Sequence, residues 1–211
     1  MHLLSRVLPL LAAFAALAPS NALAQEATPP AARGAFLADL KVGGVVSFGG
    51  LDPDLRPALG LGYLFPWLDR GIAAQLQVDY AAFNAKGSDP DPRVGGGSYT
   101  WDLTEQTLAI FPWAMYRFTK LGRVVPFAGV GPRVYLLRSV VKGTTAGGAV
   151  PETREQSTEL GLGVPLGAEF RLGPGALLGE FLLEYGPLDH KATGSSNTGG
   201  VTLFLGYRFQ L

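Results

Sequence analysis

The sequence predicts an all-β fold, and three observations carry that prediction. First, 29 Gly and 16 Pro together make 45 of the 211 residues, a density that would interrupt helices repeatedly. Second, 47% of the residues are hydrophobic and only 16% are charged, against about 25% charged in ordinary soluble domains. Third, several segments alternate apolar and polar residues with the period of two that a strand requires. With zero net charge and no Cys, the composition indicates neither nucleic acid as a partner nor a disulfide framework.

The N-terminal segment, residues 1–24, has the pattern of a cleavable signal peptide. Arg6 precedes an apolar run from Val7 to Ala18, and Ala22-Leu23-Ala24 fits a cleavage site. The apolar run is shorter than the roughly 20 residues of a membrane-spanning helix. We expect residues 25–33 to be a flexible leader and residues 34–211 to be the folded domain. No later stretch of 18 apolar residues occurs, so a membrane role would require a closed barrel.

Eight segments carry the alternation, and we predict a strand in each. In the last one, every second position from Val201 to Leu211 is apolar. In the segment 158–172, seven alternate positions are apolar, which exceeds a typical soluble strand and suffices for a tilted bilayer crossing of about 9–11 residues. The predicted strands are 35–48, 56–66, 71–84, 102–118, 124–138, 158–172, 176–188 and 201–211.

The connections between these segments alternate in length. Three are short turns, at residues 66–70, 119–123 and 172–175. The other four are longer or more polar, and they are predicted as loops at 49–55, 85–101, 139–155 and 189–198. An even number of strands with short turns at one end and long loops at the other is typical of outer-membrane barrels. The sequence therefore predicts an eight-stranded antiparallel up-and-down transmembrane β-barrel.

Aromatic residues near the predicted strand ends support a membrane position. Such residues form girdles at the two interfaces of a bilayer. The turn-end group is Tyr63, Phe65, Trp67, Tyr116, Phe118, Tyr207 and Phe209, and the loop-end group is Tyr80, Tyr99, Trp101 and Tyr185.

Four prolines lie within predicted strands, where they cannot donate a ladder hydrogen bond. We therefore expect bulges or weakened pairing around Pro112, Pro126, Pro132 and Pro165.

On these residues the chain resembles the small eight-stranded outer-membrane proteins, namely the OmpA transmembrane domain, OmpX and OmpW-like barrels. The resemblance covers residues 34–211 and rests on the strand layout, on the segment Val125–Gly131 and on the ending Gly206–Leu211. Such families end in an alternating signal that the barrel-assembly machinery reads. Its positions here are Leu203, Tyr207, Phe209 and Leu211, with Leu211 where Phe is commonest. The resemblance implies a monomer in the outer membrane after export, with membrane lipids and the assembly machinery as partners and no cofactor.

If the polar strand faces point inward, the lumen is lined by charged side chains. An eight-stranded barrel is just wide enough for side chains to fill it, and buried charges must pair. We predict an ion-pair network that closes the lumen, with a gated polar path for ions as the alternative. The predicted network is Asp39, Lys41, Asp79, Glu105, Arg133, Glu169, Arg171, Glu180, Glu184 and Arg208; Arg117 and Glu159 share the same face.

Large apolar residues also fall on the predicted inner face, next to glycines. They are Phe83, Phe111, Trp113, Phe127 and Phe204. Packing of large against small side chains explains them, and a narrow apolar pocket for a hydrophobic ligand is the alternative.

The function predicted from the sequence is a non-catalytic outer-membrane barrel of structural or surface-interaction type. The alternatives are a narrow pore or hydrophobic-ligand passage, and a soluble periplasmic lipocalin-like carrier, which would show the same alternation. His190 is the only histidine beyond residue 24, and the His-x-Ser spacing of barrel deacylases is absent because residue 192 is Ala. The two Asp-Pro-Asp repeats, at residues 52–54 and 89–91, are typical of turns, so no metal site is predicted.

Overall fold

The computed structural model describes residues 34–91, 96–190 and 194–211. The predicted signal peptide 1–24 and leader 25–33 lie outside these residues. The side chains of His190, Ser195 and Ser196 are also outside the described part.

Within the described residues, eight antiparallel strands close into a barrel in the order β1-β10-β7-β6-β5-β4-β3-β2. Two further strands, β8 and β9, pair only with each other. Short 3₁₀ turns at Leu68–Arg70 and Thr119–Leu121 occupy two of the predicted tight turns. The strands are β1 Ala35–Ser47, β2 Asp54–Leu64, β3 Ile72–Pro90, β4 Ser98–Arg117, β5 Val124–Thr145, β6 Gly148–Leu172, β7 Gly175–Tyr185, β8 Pro187–His190, β9 Gly194–Asn197 and β10 Gly200–Gln210.

The period-two alternation of each strand decides which side chains face outward. In β1, Phe36 and Val42 are 64% and 53% exposed, whereas Asp39 and Lys41 are 4% and 2% exposed. The same arrangement, with apolar residues outside and charged residues inside, recurs around the ring. It is the reverse of a soluble barrel, in which apolar side chains fill the interior. The soluble lipocalin-like alternative is therefore wrong.

The strands fall into two length classes. β1, β2, β7 and β10 have 13, 11, 11 and 11 residues, while β3 to β6 have 19, 20, 22 and 25. The pairing of β3 with β2 ends at Asp79, and that of β6 with β7 ends at Leu162. Beyond these points β3 to β6 continue as a four-stranded sheet, which we call the projecting sheet (80–90, 98–108, 136–145 and 148–158).

The prediction of loops at 85–101 and 139–155 is thus largely wrong. Most of these residues belong to two long hairpins, β3–β4 and β5–β6. The alternation used to find strands requires one apolar face, and here polar residues occupy both faces. Strands with polar residues on both faces lack that contrast, so the pattern could not mark them.

The strand prolines weaken pairing as expected, but they do not cause bulges. The β4–β5 ladder stops after Ile110↔Val134 and resumes at Ala114↔Val130 in the same register, which places Pro112 opposite Pro132. The β5–β6 ladder similarly lacks pairs opposite Pro165 and Val164, whereas Pro126 pairs with Ala168. The register shift of β5 against β6 lies elsewhere, between Val141 and Gly143.

The turn end carries the predicted aromatic girdle. The Phe36, Tyr63, Phe65 and Trp67 rings contact one another in sequence, with centroids 5.0 to 5.3 Å apart. Two more pairs, Tyr116–Phe118 and Tyr207–Phe209, have centroids 5.0 and 4.7 Å apart.

At the other end the girdle prediction is wrong for two residues. Odd-numbered residues of β4 face inward, as Glu105 and Phe111 show, so Tyr99 and Trp101 lie on the inner face.

Among the described residues, none of the helices has the length and apolar character that a membrane crossing requires.

Candidate functional site

Buried charges run along the barrel interior. Among the described residues, five cations and six carboxylates have side chains that are almost fully buried. Every strand of the ring contributes at least one of them. The cations are Lys41, Arg56, Arg117, Arg133 and Arg208, and the carboxylates are Asp39, Asp79, Glu105, Glu169, Glu180 and Glu184.

The cluster nearest the turn end centres on Arg208. Its Nε and Nη2 donate to the two carboxylate oxygens of Asp39 at 2.8 and 2.6 Å, and its Nη1 donates to Glu169 Oε1 at 2.5 Å. Arg117 donates to both oxygens of Glu169, at 3.0 and 2.5 Å. Gln75 accepts from Arg208 at 3.0 Å and donates to Asp39. Two-pronged arginine–carboxylate contacts of this kind fix geometry as well as charge.

A second set of contacts begins at Lys41, two positions from Asp39 on β1. Lys41 Nζ lies 2.8 Å from both oxygens of Glu180 and donates to Gln77 Oε1 at 2.6 Å. The amide nitrogen of Gln77 donates in turn to Asp79 Oδ2 at 3.0 Å. The glutamine thus links the Lys41–Glu180 pair to Asp79 through hydrogen bonds.

The cluster nearer the hairpin end joins two arginines to two carboxylates. Arg56 Nη1 lies 2.6 Å from both oxygens of Glu184 and donates to Thr202 at 3.0 Å. Arg133 Nη2 lies 2.5 Å from Asp79 Oδ1 and 3.0 Å from Glu184 Oε1. Each buried cation therefore has at least one carboxylate within salt-bridge distance.

The predicted inward aromatics pack between these charges. All five are at most 4% exposed, and cations lie over the faces of four of them at 5.0 to 6.0 Å, within the range of cation–π attraction. The four pairs are Lys41–Phe204, Arg56–Phe83, Arg133–Phe111 and Arg208–Phe127.

Glycines provide the space that these rings occupy. A Cβ on Gly163 would lie 2.7 Å from the Phe111 ring, and one on Gly167 would lie 2.5 Å from Phe127. A Cβ on Gly131 would lie 2.1 Å from the carbonyl oxygen of Pro112. This packing of large against small residues favours a filled interior over the apolar-pocket alternative at these rings.

The structure places Arg171 outside the buried set, which corrects the predicted network. It has the inward parity of β6, but it is the penultimate strand residue at the turn end, so its side chain emerges exposed at the rim. Glu159, on the same face, is only half-buried.

Sequence reasoning also missed Arg56 as a network member. Arg56 stood at the first position of the predicted strand 56–66, where a strand residue cannot be told from a loop residue. Its even spacing with Ala58 and Gly60 was the available signal. The sequence analysis placed Gln75 and Gln77 on the polar strand face but did not include them among the residues of the charged network, to which both are hydrogen-bonded.

The predicted assembly-signal residues are at the outer surface of β10 and just beyond it. Leu203, Phe209 and Leu211 are exposed, and Tyr207 is half-buried and donates to the Leu172 carbonyl oxygen at 2.5 Å. Their role in assembly stays a prediction.

In the part of the chain that the structure covers, no group of three or more Asp, Glu or His residues is placed to hold a metal ion.

A closed antiparallel barrel with an apolar exterior and an ion-paired interior defines a membrane-embedded β-barrel. Residues 10–209 match the family model described as "Outer membrane protein beta-barrel domain", and the chain belongs to this family. The protein is accordingly an outer-membrane protein, and its ring of eight strands confirms the resemblance to small eight-stranded outer-membrane barrels. A search of curated proteins finds no match.

Solved structures of similar fold come from several bacteria. A major outer-membrane protein of Thermus thermophilus is 17% identical with a TM-score of 0.54, over 83% of this chain and 99% of that one. Neisserial surface protein A is 20% identical, with a TM-score of 0.48 over 84% and 97% of the two chains. The N-terminal barrel of Pseudomonas aeruginosa OprF is 15% identical, with a TM-score of 0.40 over 85% and 100%. At 17% identity, the similarity to the Thermus thermophilus protein concerns the fold alone.

Proposed function

We propose that this protein is a non-catalytic, non-conducting barrel that holds the projecting sheet outside the cell for contact with surfaces or macromolecules. The observation that carries the proposal is the length of β3 to β6. Residues 80–90 of β3 alone extend roughly 35 Å at about 3.4 Å per residue, beyond the last ladder pair of β3 with β2. A bilayer crossing uses only about 9–11 residues of each strand.

The orientation follows from the turns. Both ends of the described barrel chain, in β1 and β10, lie at the end with the short turns. In outer-membrane barrels short turns face the periplasm and longer connections face outward. The projecting sheet would then extend into the medium.

The closed ring supports a monomer whose wall contacts membrane lipids. Each of its eight strands pairs with two others of the same chain, so the ring leaves no free edge for a second chain. The alternating residues at the end of β10 support recognition by the barrel-assembly machinery.

Planar-bilayer recording tests the closed lumen. We expect the refolded full-length protein to conduct near background, because paired side chains occupy the lumen. The double variant Arg133→Ala with Glu184→Ala removes two partners together and should raise the conductance. A stable, large single-channel current in the unaltered protein would contradict the proposal.

A narrow pore is the second candidate, and one observation favours it. Arg133 Nε and Nη1 and the Tyr135 hydroxyl are buried and have no hydrogen-bond partner within the protein. Such groups favour water in the lumen. The same bilayer recording separates a hydrated but closed lumen from a conducting one.

Trimming the projecting sheet tests the surface role. Val141 pairs with Thr153, so replacing residues 142–152 by Asn-Gly leaves a two-residue hairpin turn. Cells that carry the trimmed protein should adhere less to protein-coated plates than cells that carry the intact protein, while the barrel keeps its heat-modifiable migration on gels. Equal adhesion by trimmed and intact protein would contradict the surface role.

The absence of catalysis is tested at the one histidine beyond residue 24. We expect purified protein to hydrolyse neither phospholipid nor lipid A. Hydrolysis that His190→Ala abolishes would overturn this part of the proposal.

A further inference from the structure

Two exposed arginines stand side by side at the turn end of the barrel. Arg123 directly precedes β5, and Arg171 is the penultimate residue of β6. The Arg171 N–H donates to the Arg123 carbonyl oxygen at 3.0 Å. The β5–β6 register begins at Val124↔Phe170, so one step further places the two arginines directly opposite each other. We propose that this arginine pair (Arg123 and Arg171) binds the phosphate headgroup of an anionic phospholipid.

The arginine pair has no counterion in the described part of the protein. Like charges directly opposite each other on neighbouring strands are destabilising. None of the ion pairs between described residues includes Arg123 or Arg171. Glu169 stands two positions before Arg171 on the same face of β6, but its oxygens already accept from Arg117 and Arg208. An anion from outside the protein would relieve the repulsion between the two guanidinium groups.

The arginine pair lies at the level of the lipid headgroups. Val124 and Phe170, the neighbours of the pair on the barrel side, are 44% and 43% exposed on the apolar outer wall. Tyr116 and Phe118, at the end of the adjacent strand β4, belong to the turn-end aromatic girdle, and such girdles mark the headgroup region. One residue adds only about 3.4 Å along a strand, so the long arginine side chains can reach the phosphate layer.

The short turns add to the positive charge around the pair. Lys120 is exposed in the same turn as Arg123, and Arg70 ends the turn between β2 and β3. Within the described turns 66–70, 119–123 and 172–175, Asp69 is the one acidic residue. Each cation near an anionic membrane surface strengthens binding by roughly fivefold. The turn end therefore attracts a lipid with net negative charge.

The chemistry of arginine favours phosphate as the group that is bound. Each planar guanidinium donates two parallel hydrogen bonds to phosphate oxygens. Two guanidinium groups side by side can share the oxygens of one phosphate. A zwitterionic lipid also carries a phosphate, but its ammonium group would be repelled by the cations of the turns. The site should therefore distinguish anionic from zwitterionic lipids.

Native mass spectrometry of the full-length protein in a neutral detergent tests the proposal. Phosphatidylglycerol and phosphatidylcholine with identical acyl chains are titrated separately. We expect one phosphatidylglycerol to bind at least tenfold more tightly than phosphatidylcholine, and glycerol 3-phosphate at equal concentration should not displace it. Equal affinity for the two lipids would overturn the proposal. Displacement by glycerol 3-phosphate would show that the site binds a soluble phosphate, and it would overturn the assignment of a lipid.

Matched double variants locate the binding at the arginine pair. Arg123→Gln with Arg171→Gln removes two charges and should lower the preference for phosphatidylglycerol at least fivefold. Lys86→Gln with Lys142→Gln removes two charges from the projecting sheet, where these side chains are 78% and 69% exposed, and should leave the preference unchanged. Heat-modifiable migration shows that each variant has folded. Equal losses in the two double variants would show an effect of net charge alone and overturn the proposal.

A lysine variant separates charge from geometry. Arg123→Lys with Arg171→Lys keeps both charges and removes the planar forks. It should weaken phosphatidylglycerol binding about threefold, which is less than the loss in the glutamine variant. A loss as large as in the glutamine variant would contradict an attraction between the arginine charges and the lipid phosphate.

Discussion

The ring and the projecting sheet use the same kind of ion pair in two different surroundings. In the ring, Arg208 and Asp39 pair with side chains that are at most 2% exposed. In the projecting sheet, Lys86 and Asp102 pair at 3.2 Å with side chains that are 78% and 60% exposed. Aromatic side chains and further hydrogen bonds hold the ion pairs of the barrel ring in place, whereas the ion pair of the projecting sheet is exposed to solvent.

This difference shows that burial, and not contact distance, decides how much an ion pair contributes to the free energy of unfolding. Removing one partner of a buried pair leaves an uncompensated charge in a low dielectric. Removing one partner of an exposed pair leaves a charge that water solvates. The stability of the protein should therefore depend on the ring and be almost indifferent to the charges of the projecting sheet.

The largest expected effect comes from the ring. Arg208→Ala leaves Asp39 and Glu169 without a shared cation, and it should lower the free energy of unfolding by about 3–5 kcal/mol. Urea unfolding in lipid vesicles, followed by gel migration, measures the loss. Lys86→Ala is the control and should change stability by less than about 0.5 kcal/mol. Similar losses in both variants would remove the distinction between the two regions.

A glycine pair tests whether the ring interior is filled. A Cβ on Gly131 would lie 2.1 Å from the Pro112 carbonyl oxygen, so Gly131→Ala should destabilise by about 1–3 kcal/mol. A Cβ on Gly44 meets nothing within 4 Å, so Gly44→Ala should be near neutral. The same urea titration compares them, and a neutral Gly131→Ala would show that the β4–β5 wall can move apart.

The boundary between the two regions should give a smaller effect. The Asp54 carboxylate accepts the backbone N–H of Ala82 at 2.8 Å, where β3 leaves the ring. Asp54→Ala should cost about 0.5–1.5 kcal/mol, as the loss of one hydrogen bond does. Asp52 contacts β3 through its backbone, donating to the Asn84 carbonyl oxygen at 2.9 Å, so Asp52→Ala should change little. Hydrogen exchange at Ala82 should rise only in the first variant.

The smallest effect is a titration in the projecting sheet. The hydrogen bond from Arg154 to Glu152, 2.5 Å long, lowers the pKa of the Glu152 carboxyl. A carboxyl with a lowered pKa in the folded state stabilises that state above its unfolded pKa. The contribution is lost as the pH falls through the folded value. In the Arg154→Gln variant the pKa of Glu152 should return toward its usual value, as measured by a carbon-detected NMR titration. An unchanged pKa would show that Arg154 does not cause the shift.

The sequence predicts the ring better than the projecting sheet, for a physical reason. Lipid on one side and packed charges on the other impose an apolar–polar alternation, so the eight ring strands and their inward residues could be found. Water on both sides imposes no such contrast, so the extensions of β3 to β6 could not.

Odd-numbered residues of β4 face inward, and extending this alternation back to Tyr99 and Trp101 would have predicted their inward position. The prediction of a loop at 85–101 prevented that step. Pro112 lies opposite Pro132 because of the register between β4 and β5. That register cannot be derived from the sequence of either strand alone.

The ion pair of Asp39 and Arg208 has a consequence for the order of assembly. These residues are direct register partners across the contact of β1 with β10, and they stand 169 positions apart in the chain. Asp39 of the first strand lacks Arg208 until the last strand arrives, and Lys41 of the same strand lacks Glu180 until β7 arrives. An incomplete ring would hold unpaired ions beside lipid, which is costly. Closure should therefore be cooperative, with partly assembled intermediates rarely populated.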